Sequence, residues 1–269
     1  MSAKKRYSDR GREDELRALL QKRLLVLDGA MGTALQACDL TAADFGGPAL
    51  EGCNENLVLT RPDVITQVHE SYLEAGADIL ETNSFGSLRH VLAEYQLESK
   101  TVELNRVAAR LAVAAARKFS TPEKPRFAAG ALGPGTKTIS VTGGITFDEV
   151  RAAYKEAGTA LLEEGVDLFL IETQQDTLNV KAGLIGLEDV FETLNRRVPV
   201  ILSVSVETMG TMLGGQTAEA LADSVAHFDL LALGPHPSRR GVLQEPPRDR
   251  GPHAPSTPAP CGARREGKR

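Results

Sequence analysis

The sequence predicts an α/β protein with a parallel sheet, arranged as an incomplete TIM-type (β/α)8 barrel of about six βα units. Short apolar segments alternate with amphipathic helical segments from residue 24 to residue 234. Uninterrupted alternation of this kind, with strands rich in Val, Leu and Ile, indicates a parallel sheet. Each of the first five apolar segments also has polar side chains at or just beyond its C-terminal end. Barrel enzymes place their active-site groups at that edge, which favours a barrel.

Six segments have the length and composition of buried strands. They comprise residues 24–28, 77–83, 126–134, 166–173, 198–208 and 228–234. Six further segments have apolar residues at helical spacing, which predicts amphipathic helices. They comprise residues 13–23, 61–76, 97–119, 146–165, 176–197 and 217–228.

The alternative to a barrel is an open, doubly wound nucleotide-binding sheet. That fold needs a GxGxxG turn after its first strand. The corresponding turn here is Asp28-Gly29-Ala30-Met31-Gly32-Thr33, which does not supply the pattern. The barrel is therefore the favoured interpretation.

Composition excludes several classes of protein. The 269 residues fit one large domain, and 42% apolar with 25% charged residues is typical of a globular protein with a sizeable core. A net charge of −5 does not favour nucleic acid or an anionic membrane as a partner. No apolar run approaches the roughly 18 residues of a membrane span, and the first residues are charged where a signal peptide is apolar. We expect a cytoplasmic protein.

The chain divides into three regions. Residues 1–23 are a predicted N-terminal helical extension, residues 24–234 a partial barrel domain, and residues 235–269 a disordered Pro/Arg-rich tail. The tail holds eight of the fourteen prolines and eight Lys or Arg against three Asp or Glu. Such a composition predicts neither strand nor core helix. It is either a natural tail or the product of an altered reading frame; both interpretations leave the barrel two strands short.

The first candidate for a functional site follows the first predicted strand. Glycines at positions 29 and 32 allow the backbone to turn tightly and to approach a small ligand. Asp28 would then face the pocket. The structural alternative is that Asp28 only caps the following helix.

Two Glu-Thr pairs stand at equivalent strand ends. Glu81-Thr82-Asn83 ends the second predicted strand and Glu172-Thr173 ends the fourth. A carboxylate there could bind the amino group of an amino acid, while hydroxyl and amide groups could hold its carboxylate. Structural capping could explain one Glu-Thr pair by itself, but it explains less well why the pair recurs at two strand ends.

Together these segments resemble the homocysteine S-methyltransferase family. The stretches DGAMGT, GCNENLVLTRPDVITQVHESYLEAGADILETNSFGS and ALGPGTKTISVTGGITFDEVRAAYKEAGTALLEEGVDLFLIETQQDTLNVKAG carry the resemblance, which covers residues 13–234. The similarity is strongest to the N-terminal homocysteine-binding domain of cobalamin-dependent methionine synthases. It implies a homocysteine-binding barrel, with Asp28 and Glu172 contacting the substrate amino group, and Gly133, Pro134 and Lys137 on the third-strand rim. The full set of implied substrate-binding residues is Asp28, Gly29, Ala30, Met31, Glu81, Thr82, Asn83, Glu172 and Thr173.

The resemblance also implies zinc, which activates the homocysteine thiol. Family members bind it with one cysteine just after the sixth strand and two adjacent cysteines after the eighth. Here Pro235, His236 and Pro237 follow the sixth strand. His236 and Cys261 are not expected to form a zinc site, because a proline-rich segment offers no fixed tetrahedral geometry. No metal ligand is therefore predicted, and we expect impaired activity.

The implied reaction is methyl transfer to homocysteine, giving methionine. Methylcobalamin on another module or on a separate cobalamin-carrying protein is the implied methyl donor. Two alternatives remain open: a catalytically inactive homocysteine-binding fragment, and a zinc-independent barrel enzyme acting on another small amino acid. Neither nucleic acid nor membrane is an expected partner.

Overall fold

A computed structural model describes Tyr7 and residues 9–236, with only the backbone described at residues 235 and 236. Its strands form one parallel sheet in sequence order, β1-β2-β3-β4-β5. The strands are β1 (Ile79–Glu81), β2 (Phe127–Leu132), β3 (Leu168–Gln174), β4 (Val200–Ser205) and β5 (Ala232–His236). This arrangement confirms the predicted α/β class with a parallel sheet.

Helices connect and cover the strands. The α-helices are α1 (Glu13–Leu20), α2 (Met31–Gln36), α3 (Leu57–Thr60), α4 (Pro62–Ala75), α5 (Arg89–Leu92), α6 (Thr101–Phe119), α7 (Phe147–Glu163), α8 (Thr177–Leu194) and α9 (Ala218–Val225). Short 3-10 helices span Pro48–Leu50, Asn54–Asn56, Ala93–Tyr95 and Glu98–Lys100. Among the described helices, none combines the length and the apolar character that crossing a bilayer requires.

The predicted first strand, residues 24–28, is reduced to a single parallel bridge between Leu27 and Ile79. The segment still lies beside β1, because the amide of Asp28 donates to the carbonyl of Ile79 at 2.9 Å. Leu24 is 90% exposed, so nothing in the described part of the chain covers the outer side of this segment. The segment therefore forms a single bridge in place of the predicted strand.

The last strand also differs from its prediction. β5 begins at Ala232 and continues to His236, two residues beyond the predicted strand end at Gly234 and into the predicted tail. Pro235 is tolerated because, within residues 9–236, β5 pairs only with β4 and the other edge of the strand needs no amide donor. The described strands thus form an open sheet, and they do not show a closed barrel.

The two faces of the sheet have different neighbours. Alternate strand residues such as Leu80, Phe169 and Ile171 join the large core that includes apolar residues of α6, α7 and α8. Phe127 and Leu168, at the strand starts, instead pack in a smaller cluster with Leu16 of α1. Since α1 covers the beginning of the strands, the C-terminal strand ends stay open for a site.

Candidate substrate site

Three carboxylates meet at the C-terminal ends of neighbouring parallel segments. Asp28 follows the bridge residue Leu27, Glu81 ends β1, and Glu172 lies in the last part of β3. Both carboxylate oxygens of Asp28 accept from the backbone amide of Glu81, at 3.1 and 3.2 Å. The structure thus brings together three of the residues that the strand ends predicted.

Burial raises all three pKa values, and the neighbouring carboxylates add to the shifts of Asp28 and Glu81. Burial raises the pKa of Asp28 to about 8, and the charge of Glu172 adds to this effect. Burial likewise raises the pKa of Glu172 to about 7, although the side chain of Thr173 opposes the shift with a hydrogen bond. The pKa of Glu81 lies well above its ordinary value because of burial, and the charges of Glu172 and Asp28 raise it further. A cation placed among these groups would stabilise their charged forms.

Tyr72 of α4 belongs to the same site, and sequence analysis missed it. Burial raises the pKa of its hydroxyl group, and the charges of Asp28 and Glu81 raise it further. A Cβ atom on Gly29 would lie only 2.8 Å from both Cε1 and the hydroxyl oxygen of Tyr72. Glycine at position 29 therefore lets the tyrosine ring approach the turn after Asp28.

The rest of the Asp28 turn starts a helix. Ala30 has an extended backbone and is the N-cap of α2, whose first residue is Met31. Met31 is partly buried against the apolar cluster that contains Leu35. Ala30 and Met31 therefore position the turn, and direct contact of either residue with a substrate stays a prediction.

The side chains of Thr82 and Asn83 are buried and have protein partners. The Thr82 hydroxyl accepts from the Ala131 amide at 2.9 Å and lies 2.6 Å from the Ser84 hydroxyl. Asn83 donates through Nδ2 to the carbonyl of Asn54 at 2.8 Å. These bonds hold the loop after β1 against its neighbours. A role for either side chain in binding substrate stays a prediction.

Thr173 has a strained backbone beside Glu172. Its φ is +58°, in the left-handed region that β-branched residues rarely adopt. The register between β3 and β4 shifts here, because Ile171 pairs with Leu202 and Gln174 with Val204. Two residues of β3 therefore oppose one residue of β4, which is a β-bulge. Strain of this kind concentrates at functional sites, where it aims particular side chains.

A buried hydrogen-bond chain joins β3 to the loop after β2. Gln174 donates through Nε2 to the hydroxyl of Tyr154 at 2.9 Å, and Tyr154 donates to the carbonyl of Gly133 at 2.5 Å. Both side chains are fully buried. They fix the end of β3, and hence Glu172, relative to Gly133 on the predicted third-strand rim.

Comparison with known proteins identifies the family. The model of the family described as "Homocysteine S-methyltransferase" matches residues 25–236. This chain belongs to the homocysteine S-methyltransferase family. The match ends at the same residue as β5, so it includes every strand of the described sheet.

Solved structures of the homocysteine methyltransferase MmuM from Escherichia coli share the fold of this family member. The metallated form has 23% sequence identity and a TM-score of 0.66, with 82% of this chain and 77% of that chain covered. The oxidised form has 24% identity and a TM-score of 0.67, covering 82% and 76%. The apo form has 23% identity and a TM-score of 0.62, covering 82% and 74%.

Glu55 is a further shielded carboxyl group in this homocysteine S-methyltransferase family chain, and the sequence did not single it out. It accepts from the amide of Gly86 at 2.8 Å, and burial raises its pKa. A Cβ atom on Gly86 would lie 2.7 Å from the same carboxylate oxygen, so glycine is required for this contact. Glu55 therefore connects the 3-10 helix at Asn54–Asn56 to the loop after β1.

The described residues of this family member do not form a metal site. Within residues 9–236, no three His, Cys, Asp or Glu side chains lie together in a group that could hold a metal ion. Cys53 is buried and unpaired, and burial, followed by the charge of Glu55, raises its pKa to about 11. The side chain of His236 and all of Cys261 lie outside the described residues.

Proposed function

We propose that this chain binds homocysteine at the C-terminal ends of its strands, as the methyl-accepting module of a homocysteine S-methyltransferase that forms methionine. The observation that supports this proposal is the convergence of Asp28, Glu81 and Glu172 in one partly buried site. An isolated cluster of three carboxyl groups is unfavourable in the charged state. An α-ammonium group would relieve that repulsion, and an amino acid substrate supplies one.

Each carboxylate has a distinct part in this proposal. Asp28 and Glu172 bind the ammonium group of homocysteine, while Glu81 adds negative charge and its amide orients Asp28. The Thr173 hydroxyl holds the Glu172 carboxylate through its hydrogen bond. Gly29, Ala30 and Met31 form the turn, and Thr82 and Asn83 fix the loop on the opposite side.

The proposed reaction also needs an activated thiol. A thiol bound to zinc is deprotonated outright, and zinc is the metal that we propose for the family reaction. The described residues do not fit zinc, because no three of their His, Cys, Asp or Glu side chains form a group that could hold a metal ion. We therefore propose that methyl transfer by this chain is impaired.

Several further features belong to the same proposal. We propose that the open sheet is part of a TIM-type barrel with an N-terminal extension over residues 1–23 and a separate tail after residue 234. Methylcobalamin on another module or protein is the proposed methyl donor. The proposed location of the protein is the cytoplasm. The resemblance to the methionine synthase branch supports these points.

Binding without catalysis is the second candidate function. The lack of a metal-binding group within residues 9–236 favours it over a complete enzyme. A zinc-independent enzyme that uses the carboxylates on another small amino acid is the remaining alternative. Incubation with homocysteine, zinc and several methyl donors distinguishes these cases. Methionine formed only with zinc supports the methyltransferase, whereas no methionine with any donor supports binding without catalysis.

Calorimetric titration with homocysteine tests the binding itself. Glu172→Gln is expected to weaken binding at least about tenfold, because it removes one charge from a desolvated ion pair. Glu74→Gln is the matched control, since Glu74 is exposed on α4. Equal affinity of wild type and Glu172→Gln would contradict the proposed site.

A further inference from the structure

A second cavity lies away from the three carboxylates. It has a volume of about 530 Å³, within the range of small-molecule sites. Its walls come from α5, α7, the 3-10 helices that follow α5, and the loop after β2. None of Asp28, Glu81 and Glu172 lines it, but Lys137, which the resemblance places on the third-strand rim, does.

Two charged groups in this cavity form no ion pair and no side-chain hydrogen bond among the described residues, although Lys137 lies near Glu149 and Glu98 near Arg89. Glu156 forms a two-point ion pair with Arg89, and Glu149 accepts from the amide and hydroxyl of Thr146 at the start of α7. Lys137 and Glu98 have neither an ion pair nor a side-chain hydrogen bond within residues 9–236, although both line the cavity. One cation and one carboxylate are therefore available to a ligand.

The space between these charges is mostly apolar. Ala93, Ile145, Ala152 and Ala153 supply small aliphatic surfaces. His90 also lines the cavity, and both of its ring nitrogens are shielded from water without a hydrogen-bond partner in the described structure. An apolar wall between opposite charges suits a small molecule that carries both charges and an aliphatic portion.

The loop that forms one wall is held in place before any ligand binds. Asn179 of α8 accepts from the Ile139 amide and donates to the Lys137 carbonyl, both at 2.9 Å. Asp176, the N-cap of α8, accepts from the amide and hydroxyl of Ser140. A preformed wall lowers the entropic cost of binding.

We propose that this cavity binds a zwitterionic α-amino acid with an unbranched or branched apolar side chain, at a site separate from the homocysteine site. Lys137 binds its carboxylate, Glu98 binds its ammonium group, and the side chain lies against the alanines of α7. This site goes beyond the proposed function and does not depend on it.

L-Methionine is the probe, titrated calorimetrically into wild type, Lys137→Met, Glu98→Gln and Glu172→Gln. We expect Lys137→Met and Glu98→Gln each to weaken methionine binding at this cavity at least about tenfold, while Glu172→Gln keeps binding at this cavity and weakens only binding at the carboxylate site. N-Acetyl-L-methionine and L-methioninamide, which each lack one of the two charges, should bind the wild type at least about tenfold more weakly. Both Lys137 and Glu98 are exposed, so their variants should melt like wild type.

Three results would overturn the proposal. In the first, wild type does not bind methionine. In the second, Glu172→Gln loses methionine binding while Lys137→Met and Glu98→Gln keep it. In the third, wild type binds methionine and its singly charged derivatives with equal affinity. The second result would assign methionine to the carboxylate site. Homocysteine titrated into Glu98→Gln separates the two proposals, because its binding at the carboxylate site is expected to be kept while any binding at this cavity is weakened.

Discussion

The carboxyl group of Asp28 titrates near pH 8 in the folded chain, far above its ordinary range, because burial and Glu172 disfavour its charge. Unfolded Asp loses its proton near pH 4. Between these values the folded form binds more protons, so the free energy of unfolding falls as pH rises through this window. The contribution of Asp28 is fully present below about pH 4 and lost above about pH 8.

Asp28→Asn should therefore flatten the pH dependence of stability. Between about pH 5 and about pH 8, we expect the free energy of unfolding of wild type to fall by roughly 2 kcal/mol more than that of the variant. This difference is smaller than the full pKa shift implies, because water reaches this partly exposed group. Urea unfolding at three pH values measures the difference. Parallel stability profiles for the two proteins would show that Asp28 titrates normally.

Thr173 should carry strain that glycine relieves. Thr173→Gly and Thr173→Ala both remove the hydroxyl that supports Glu172, but only glycine adopts a φ of +58° without steric cost. We expect Thr173→Gly to be more stable than Thr173→Ala by about 1 kcal/mol. Thermal melts of both variants check this, and an alanine variant at least as stable as the glycine variant would refute it.

At the residue scale, the sequence predicted those side chains whose position follows from a strand end. Asp28, Glu81 and Glu172 all end apolar segments, and parallel strands bring such ends together. Tyr72 reaches the Asp28 turn from α4, and Glu55 reaches the loop after β1 from a 3-10 helix. Their positions depend on how those helices pack, which no local pattern of residues specifies.

Among the elements, α7 and α8 cross closely at glycine. A Cβ atom on Gly186 would lie 2.6 Å from the backbone carbonyl oxygen of Arg151, which cannot move without shifting α7. A Cβ atom on Gly158 would lie 2.7 Å from Cδ2 of Leu187, at the flexible end of that side chain.

Gly186→Ala should therefore destabilise the chain although alanine favours helix by about 1 kcal/mol. We expect a net loss of about 2 kcal/mol, and a smaller loss for Gly158→Ala, because a side chain adjusts more easily than a backbone. Urea denaturation of both variants measures the order. A Gly186→Ala chain as stable as wild type would show that the helices separate readily.

Element prediction succeeded where a helix is long enough to show an apolar face that packs against the core. The helical pattern of residues 61–76 became α4, and that of residues 146–165 became α7, with Thr146 as an N-cap in a capping box. Residues 24–28 have a strand composition but form one bridge, and their side chains Leu24 and Val26 are exposed. The short helices α2, α3 and α5 escaped prediction, since four to six residues make fewer than two helical turns and show no repeating pattern.

For the whole molecule, the described sheet has two open edges. Residues 24–28 expose Leu24 and Val26 on one side, and β5 has no further strand within residues 9–236 on the other. Open edges invite association.

We expect the 269-residue chain to melt with low cooperativity, to aggregate, or to associate with a partner that covers these edges. Gel filtration and thermal melting measure this behaviour. A monodisperse monomer with a sharp melting transition would mean that the edges are already covered.

We propose that the carboxylates of Asp28 and Glu172 bind the ammonium group of homocysteine. A calorimetric cycle tests this with homocysteine and 4-sulfanylbutanoic acid, which lacks the amino group, against wild type and the double variant Asp28→Asn/Glu172→Gln. We expect wild type to prefer homocysteine at least about tenfold and the double variant to show no preference. A preference of the same size in both proteins would contradict it.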